Sequence, residues 1–317
     1  MIRRPLRLVL RLPLLVLALA WIPVAILTAV DLDVWWPMAA LVAFANYAIL
    51  GTAVVALLAL LIKARLIALI ALAGLAVLVV PRAGQVVGDD QPRATGTRVV
   101  VASANVRFGR ADAAALMRQV TRQRVDVLAL QEDTPDFTAD LTAAGLRRAL
   151  PYAAAQPAPG AAGISIYSRY PITAVASRRG DRRSIGGTIE LPTGRRLHVR
   201  SLHPYPLHGG QQRFREWERD TTSLKRTIRS VPAPAILMGD FNATLDHQPL
   251  RTLLDAGLRD AADETGQAWR PTWSNGRWAT LTLDHVLVPP SVAVREVDIR
   301  DLAGSDHDLL VATLQTR

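Results

Sequence analysis

Six apolar segments in the second part of the chain run directly into side chains that can bind metal ions or transfer protons. The pattern is clearest at Ala235–Met238, which is followed by Gly239-Asp240-Phe241-Asn242. The other places are Ser103-Ala104-Asn105, Leu130-Gln131-Glu132, Ser201-Leu202-His203, Leu283-Asp284-His285 and Gly304-Ser305-Asp306-His307. Taken singly, each polar residue has an ordinary structural explanation, such as a turn cap or a hydrogen-bonded core histidine. Taken together they predict one cleft, because packed sheets gather their strand ends in the same place.

These residue types favour phosphoester hydrolysis. Carboxylates, amides and imidazoles suit a hard cation bound by oxygen, in the first place Mg²⁺, with Mn²⁺ as an alternative. A further carboxylate can deprotonate or orient water, while amides and imidazoles hold phosphoryl oxygens. The chain has no cysteine, which excludes disulfides, thiolate nucleophiles and Cys-bound zinc. The absence of G-x-S-x-G, G-x-x-x-x-G-K and H-E-x-x-H leaves elbow-serine acyl transfer, P-loop chemistry and zincin proteolysis unsupported.

Strand-length apolar runs must position these side chains. Eight strands are predicted: Arg98–Val106, Val125–Leu130, Ile164–Ser168, Thr188–Leu191, Leu197–Leu202, Ala235–Met238, Leu283–Val288 and Leu309–Leu314. Apolar residues at spacings of three and four predict helices over Ala111–Gln123 and Gln211–Ser230. Because the helices do not alternate regularly with the strands, the pattern favours an α+β fold or layered sandwich over a doubly wound sheet.

The order of these motifs resembles the endonuclease/exonuclease/phosphatase superfamily, whose members include DNase I-like nucleases, inositol phosphatases and neutral sphingomyelinases. The resemblance rests on SANV, LALQE, SIYSRYPI, SLHPY, MGDFN, LDHVLV and GSDHDLL, which cover about residues 97 to 317. It implies an α+β fold of the DNase I-like type, a four-layer α/β sandwich with two facing sheets and helices outside. It also implies a Mg²⁺-dependent phosphoesterase.

The resemblance implies a metal-binding group within this site. Glu132 would be the principal Mg²⁺ ligand, aided by Asn105 and Asp306. Asp240 would orient or deprotonate the attacking water. These positions match the family's motifs one by one.

The resemblance also implies which residues act on the phosphate. Asn242 and His203 would hold phosphate oxygens. His307 would stabilise the pentacovalent phosphorus, with Asp284 fixing its tautomer and favouring its protonated form. His285 would alternate to the other face of the strand, which indicates a structural role.

An arginine-rich loop, SRRGDRRSIGG, departs from the family pattern. The additional Arg and Tyr residues with which DNase I-like nucleases face DNA have no clear counterpart in this chain. The loop is either a solvated charged hairpin or a grip on a second phosphate, since arginine pairs bidentately with phosphate oxygens. The arginines concerned are Arg178, Arg179, Arg182 and Arg183.

Residues 1–81 are predicted to form a membrane region. Three apolar stretches, Leu12–Val30, Pro37–Ile62 and Leu66–Val80, predict three transmembrane helices, although the third is short. Two spans with an interfacial segment are the alternative. Residues 82–97 are predicted as a linker and residues 98–317 as the endonuclease/exonuclease/phosphatase domain.

The distribution of charge predicts the orientation in the membrane. Four arginines flank the first stretch and Lys63-Ala64-Arg65 forms the second turn, whereas the first turn, residues 31–36, is acidic with two tryptophans. Positive-inside logic therefore puts the N-terminus in the cytoplasm and the catalytic domain outside a multi-pass cell-membrane protein. Of the net charge of +10, residues after position 81 carry +6 (31 basic minus 25 acidic), which suits either a phosphate-bearing partner or an arginine-rich surface.

The whole layout resembles the VanJ-like membrane proteins of Gram-positive bacteria, which are linked to glycopeptide resistance. This resemblance implies a lipid-linked phosphate or diphosphate of the cell envelope, similar to undecaprenyl pyrophosphate, as the substrate. Tethering to the bilayer favours substrates that live there. An anchored extracellular nuclease acting on nucleic acid is the first alternative, and a non-catalytic domain that binds envelope components is the second. The sequence gives no signal for a protein partner.

Overall fold

The computed structural model describes residues 4–30, 35–91, 93–175, 183–207, 210–230 and 235–316. The chain divides into two compact units. A helical unit contains residues 1–83 with 245–248, and a sandwich unit contains residues 84–244 with 249–317.

Five apolar helices and a short 3₁₀ turn make up most of the helical unit. They are α1 (Arg4–Ala20), α2 (Ile22–Val30), α3 (Trp36–Ala43), α4 (Ala45–Leu61), α5 (Arg65–Val79) and the turn Val80–Arg82. Two helical stretches, Val9–Thr28 and Arg65–Arg82, are long and apolar enough to cross a membrane. The second predicted span is divided between α3 and α4, which are bent by 62°. The predicted acidic turn at residues 31–34 lies outside the described residues.

Small side chains fill the contacts between these helices. Ala56, Ala59 and Ala71 are buried where α1, α4 and α5 pack together. Large apolar side chains point outward, among them Leu12 at 69% and Leu66 at 71% exposure. Alanine contacts inside and leucine outside are typical of helices packed in lipid, where close backbone approach replaces the hydrophobic effect.

The sandwich unit contains fourteen strands within the described residues. They are β1 (Arg98–Asn105), β2 (Val127–Gln131), β3 (Tyr152–Gln156), β4 (Ile164–Ser168), β5 (Ile172–Val175), β6 (Ser184–Glu190), β7 (Arg196–Leu202), β8 (Ala235–Asp240), β9 (Arg259–Asp260), β10 (Trp273–Ser274), β11 (Thr280–Leu281), β12 (Asp284–Val288), β13 (Val292–Arg300) and β14 (Leu309–Thr316). One six-stranded sheet has the order β13-β14-β1-β2-β4-β3, and the other has the order β5-β6-β7-β8-β12-β9. The hairpin β10–β11 stands apart.

Seven α-helices accompany the strands in the described part of the chain. They are α6 (Gly84–Val87), α7 (Ala113–Arg122), α8 (Pro135–Ala143), α9 (Leu146–Ala149), α10 (Gln211–Ser230), α11 (Gln248–Asp255) and α12 (Ala261–Glu264). Leu116 and Phe137 of α7 and α8 join Leu128 and Leu130 of β2 in one buried cluster. The two sheets face each other and helices cover them, so the predicted four-layer α/β sandwich is confirmed.

The eight predicted strands are present, with differences at their ends. β6 begins at Ser184, four residues before the predicted Thr188. The prediction began too late because Gly186 and Gly187 interrupt the apolar pattern in the sequence. β13 was not predicted, since Arg295 and Glu296 break its apolar alternation at a register shift against β14.

Part of the predicted linker packs against the sandwich unit. α6 falls within it, and Gln91 Nε2 donates a hydrogen bond of 2.8 Å to Glu264 Oε2. Gln91 Oε1 accepts a bond of 2.9 Å from Val294 N. Residues 84–91 therefore belong to the sandwich unit, while Pro92 lies outside the described residues.

Candidate active site

The polar residues meet at one edge of the sandwich because of how the strands pair. β1 and β2 are parallel, with Asn105 opposite Gln131. β8 and β12 are antiparallel, with Asp240 opposite Asp284. The sequence pattern indicated that Asp284 and His307 follow strands, but Asp284 is the first residue of β12 and His307 precedes β14. Antiparallel pairing brings these strand beginnings to the edge where the other strands end.

Asn105 links two carboxylates in the centre of the site. Its side-chain Nδ2 donates to Glu132 Oε1 at 3.3 Å and to Asp240 Oδ2 at 3.0 Å. Its Oδ1 accepts the backbone N–H of Arg107 at 2.9 Å, which fixes the orientation of the amide. Asn105 thus presents its NH₂ group, rather than the oxygen expected of a metal ligand, to the carboxylates.

Glu132 follows β2 in a left-handed backbone conformation, with φ of +61°. This conformation is costly for a residue with a side chain and is typical of functional sites. Its Oε2 accepts the Phe108 N–H at 2.8 Å. Burial raises the pKa of Glu132, while the hydrogen bonds from Asn105 and Phe108 lower it.

Close approach of two backbones brings Asp240 and His203 together. Gly239 has φ of +150°, and a Cβ there would lie 2.1 Å from the carbonyl oxygen of Leu202. Glycine is therefore required one residue before Asp240. His203 Nε2 lies 3.7 Å from Asp240 Oδ2 and 3.6 Å from Glu132 Oε1, beyond hydrogen-bond distance. Burial lowers the pKa of His203 to about 4, so this imidazole is neutral at pH 7.

His307 forms a buried pair with Asp284. Its Nδ1 lies 2.8 Å from Asp284 Oδ2, and its Nε2 faces Asp240 Oδ2 at 3.6 Å. Burial lowers the pKa of His307, but the charges of Asp284 and Asp240 outweigh burial and raise it to about 10. His307 is therefore an imidazolium that can donate a hydrogen bond to a developing negative charge.

Thr272 is a site residue that sequence reasoning missed. Its Oγ1 donates to Asp284 Oδ2 at 2.7 Å and accepts the backbone N–H groups of Leu283 and Asp284 at 3.0 Å. Only the fold brings the threonine to Asp284, because it lies in a loop before β10 and belongs to no motif. Thr272 fixes the carboxylate that holds His307.

Asn242 lies beside Asp240 in the turn after β8. It has φ of +50°, and its backbone N–H donates to Asp240 Oδ1 at 2.8 Å. Its side-chain Nδ2 donates to the carbonyl oxygen of Pro204 at 3.0 Å, next to His203. The turn therefore joins Asp240 to the segment that carries His203.

Asp306 lies at the rim, with its Oδ1 3.6 Å from Arg107 Nε. The neighbouring Ser305 Oγ donates to the carbonyl oxygen of Asn105 at 2.7 Å and accepts the His307 N–H at 3.0 Å. Ser305, the serine of the GSDHDLL motif, therefore connects the end of β1 to His307. Asp306 is more exposed than Glu132 and Asp240, since its side chain is 30% accessible.

Of the four loop arginines, one falls in the described part of the chain. Arg183 Nη1 donates to the carbonyl oxygen of Ala161 at 3.2 Å, and its own carbonyl oxygen accepts the His203 N–H at 2.8 Å. The predictions for Arg178, Arg179 and Arg182 lie outside the described residues.

His285 points away from the site, as its position next to Asp284 on a strand predicts. Its Nδ1 lies 2.9 Å from Asp260 Oδ2, and its Nε2 lies 2.9 Å from the carbonyl oxygen of Ala243. Both partners can only accept, so both ring nitrogens must donate. Burial lowers the pKa of His285, but the bond to Asp260 outweighs it and raises the pKa above its ordinary value.

The site fits a divalent cation bound by oxygen. Glu132 Oε1 and Asp240 Oδ2 approach the same Asn105 amide, and burial of these two carboxylates favours a cation that offsets their charge. A second group, Asp240, Asp284 and His307, has ligand atoms within 4.8 Å of one another. The direct bond between Asp284 and a protonated His307 makes that group an acid–base pair, because an imidazolium has no lone pair for a metal.

Solved structures of other proteins share the fold of the sandwich unit. An endonuclease/exonuclease/phosphatase from Beutenbergia cavernae DSM 12333 is similar over 71% of this chain and 72% of its own, with 18% identity and a TM-score of 0.54. The mannosyl-6-phosphatase Bt3783 of Bacteroides thetaiotaomicron VPI-5482 is similar over 68% of this chain and 99% of its own, with 20% identity and a TM-score of 0.51. No curated protein matches the sequence.

A third solved structure is a 3′ phosphatase, NExo from Neisseria, bound to a product DNA hairpin. It is similar over 68% of this chain and 98% of its own, with 18% identity and a TM-score of 0.52. The profile of the Endonuclease/Exonuclease/phosphatase family matches residues 102–307, which include Asn105, Glu132, Asp240, Asp284 and His307. The chain therefore belongs to the endonuclease/exonuclease/phosphatase family, whose members are usually hydrolases that use divalent metal ions.

Proposed function

We propose that the chain is a membrane-anchored, extracytoplasmic phosphohydrolase that depends on a divalent metal ion, Mg²⁺ in the first place. The observation that carries this proposal is the convergence of Asn105, Glu132, Asp240, Asp284 and His307 through direct contacts of 3.6 Å or less. A carboxylate for a cation (Glu132), a carboxylate for the attacking water (Asp240) and an acid–base pair for the phosphate (Asp284 and His307) lie within one group of side chains.

The side chains divide the reaction between them. Asp240, with Oδ1 held by the Asn242 N–H, orients the attacking water and accepts its proton. His307 donates to a phosphoryl oxygen, while Asp284 and Thr272 keep its ring in position. Glu132 would hold the cation, whose charge would offset that of the phosphate. Asn242 and the neutral His203 serve the remaining phosphoryl oxygens as hydrogen-bond donors.

A lipid-linked phosphate or diphosphate is the substrate that the rest of the chain favours. Two helical stretches could cross a membrane, and tethering concentrates an enzyme only with substrates of the same bilayer. Two exposed aromatic side chains belong to loops that contact site residues. Phe108, which is 47% exposed, follows β1, and its backbone N–H donates to Glu132. Trp278, which is 69% exposed, lies in the loop of the hairpin β10–β11, where the backbone of Trp273 pairs with that of His307. Such side chains suit contact with lipid.

A nuclease or nucleic-acid phosphatase is the second candidate. The Neisseria 3′ phosphatase, whose structure contains a DNA hairpin, shares the fold, and exposed aromatic rings also stack on bases. Fold similarity does not decide between these substrates.

Phosphate release by the purified full chain in detergent separates the candidates. The panel contains a polyprenyl diphosphate, a polyprenyl monophosphate, a 3′-phosphorylated oligonucleotide and plasmid DNA, each with Mg²⁺, with Mn²⁺ and with a chelator. We expect metal-dependent release from the prenyl phosphates and none with the chelator. Cleavage of the nucleic acids alone would reject the lipid substrate, and undiminished release in the chelator would reject the metal.

A further inference from the structure

Two arginines lie against one aromatic ring beside the candidate active site. The guanidinium carbon Cζ of Arg183 lies 3.8 Å from the centroid of the Tyr205 ring, and that of Arg213 lies 4.7 Å from the same centroid. Each cation is attracted by the ring, but the two positive charges repel each other. An anion bound by both guanidinium groups removes this repulsion.

Backbone contacts connect this arginine–tyrosine cluster to the phosphate-facing side of the site. The carbonyl oxygen of Arg183 accepts the His203 N–H at 2.8 Å, and Tyr205 follows His203 by two residues. Between them, the carbonyl oxygen of Pro204 accepts Asn242 Nδ2 at 3.0 Å. The cluster therefore borders the imidazole and the amide that are proposed to hold the reacting phosphate.

The two arginines differ in how far their charges are already neutralised. Within the described part of the chain, the Arg183 side chain makes one hydrogen bond, from Nη1 to Ala161, and no ion pair with a carboxylate. Arg213 Nη1 lies 3.2 Å from Glu216 Oε2, and its side chain is 47% exposed. Arg183 therefore retains more donors for an anion than Arg213 does.

The guanidinium of Arg183 lies over the face of the Tyr205 ring. Stacked on Tyr205, the planar guanidinium keeps its in-plane N–H groups available for a bidentate oxyanion.

We propose that Arg183 and Arg213, held on Tyr205, form a second-phosphate subsite and that the substrates are accordingly organic diphosphates. This inference rests on the proposed phosphohydrolase function. Water attacks the terminal phosphorus beside Asp240, which takes the proton, and the bond from this phosphorus to the bridging oxygen breaks. The bridging oxygen leaves with its electron pair as part of the organic monophosphate, whose charge the two arginines bind.

Matched substrates and variants test the subsite in the full chain. For Arg183→Gln we expect kcat/KM for farnesyl diphosphate to fall about tenfold more than kcat/KM for farnesyl monophosphate, as loss of a charged hydrogen-bonding group implies. Arg213→Gln should give a smaller effect of the same kind. Arg183→Lys should give an intermediate effect, because lysine keeps the positive charge but cannot donate two parallel hydrogen bonds to one phosphate. The control Arg219→Gln, an exposed arginine on the same helix α10, leaves the ratio of the two substrates unchanged.

Equal losses on both substrates, or no loss, would overturn the subsite. A selective loss with a 3′-phosphorylated dinucleotide, but none with farnesyl diphosphate, would assign the cluster to a nucleic-acid phosphate and overturn the diphosphate class.

Binding of non-hydrolysable analogues separates failure of the subsite from failure of the proposed function. Calorimetry at fixed free Mg²⁺ compares methylenediphosphonate with methylphosphonate. We expect the wild-type chain to bind the diphosphonate more tightly and Arg183→Gln to abolish the difference. If this preference is found in a chain that hydrolyses neither farnesyl ester, the subsite stands and the proposed function fails. If the preference is absent from the wild type, the subsite is wrong whatever the chain hydrolyses.

Discussion

Two buried histidine–carboxylate pairs contain the neighbouring residues Asp284 and His285 of β12. They differ in the group that the histidine Nε2 faces. Asp284 bonds His307 at 2.8 Å, and Nε2 of that histidine faces Asp240 at 3.6 Å, beyond hydrogen-bond distance. His285 bonds Asp260 at 2.9 Å, and its Nε2 is closed by the Ala243 carbonyl at 2.9 Å. The first pair keeps a donor for a ligand, and the second has none left.

Strand alternation alone separates the two pairs. Asp284 and His285 point to opposite faces of β12, one toward the cleft and one toward α12, whose N-terminal N–H groups bond Asp260. A buried histidine–carboxylate pair with a raised pKa is therefore a poor indicator of catalysis by itself. What distinguishes the candidate catalytic pair is the nitrogen that the protein leaves unbonded beside other polar groups.

The largest difference in kcat between the two pairs is expected when His307, the imidazolium in the active site, is replaced. His307→Gln should lower kcat for phosphate release about 10³-fold, since it replaces the positively charged imidazolium donor to the phosphoryl oxygen with a neutral amide. The measurement is a steady-state assay of the full chain in detergent, with circular dichroism to confirm retained folding. A loss below about tenfold would show that His307 is no closer to the chemistry than His285 is.

The second pair should respond in stability. His285→Gln removes one partner of a buried ionic pair and should lower the free energy of unfolding by about 3 kcal/mol. Chemical denaturation of the full chain in detergent measures this change, and kcat below the transition should fall less than it does in His307→Gln. A stable, inactive variant would reverse the roles assigned to the two histidines.

The smallest effect concerns the acidic surroundings of the second pair. Burial, followed by the charges of Asp260, Asp89 and Glu264, raises the pKa of Asp263 from 3.8 to about 6. Between these values the folded state binds more protons than the unfolded state, so stability falls as pH rises. The carboxylate therefore destabilises the fold at pH 7, and Asp263→Asn should raise stability by about 1 kcal/mol after allowance for solvent screening.

The pH dependence gives this prediction its control. The advantage of Asp263→Asn over the wild type should be complete above about pH 6 and vanish below about pH 4, as the shift between the two pKa values requires. Denaturation curves across this range check it. An advantage that does not vary with pH would show that the carboxylate charge is not its cause.

Much of the site was predictable because local sequence records the ends of buried runs. The pattern at Glu132, Asp240 and His307 identified side chains that the fold brings together, and alternation placed His285 on the other face. Thr272 and Tyr205 were not predictable, because strand register and loop packing bring them to their partners. The amide orientation of Asn105 depends on a backbone N–H at Arg107, which no motif encodes.

In the apolar helical unit, the presence of helices was predictable from the sequence but the break between α3 and α4 was not. Apolar length alone predicted the stretch covered by α1 and α2 as one helix and predicted α5, because almost any run of leucine, alanine and valine satisfies a membrane helix. The same uniformity hid the bend between α3 and α4 at Phe44, where φ of −96° and ψ of 19° end the first helix. Phe44 and its neighbours Ala43 and Ala45 are apolar, so these three residues do not mark the bend in the sequence.

The most direct test measures phosphate release by wild type and Asp240→Asn under saturating Mg²⁺. Asp240 lies within 3.7 Å of Asn105, Asn242, His203 and His307. If one water molecule is activated at this carboxylate, the amide should lower kcat by about 10³-fold or more while folding is retained. Release at the wild-type rate would contradict a single catalytic centre built around Asp240.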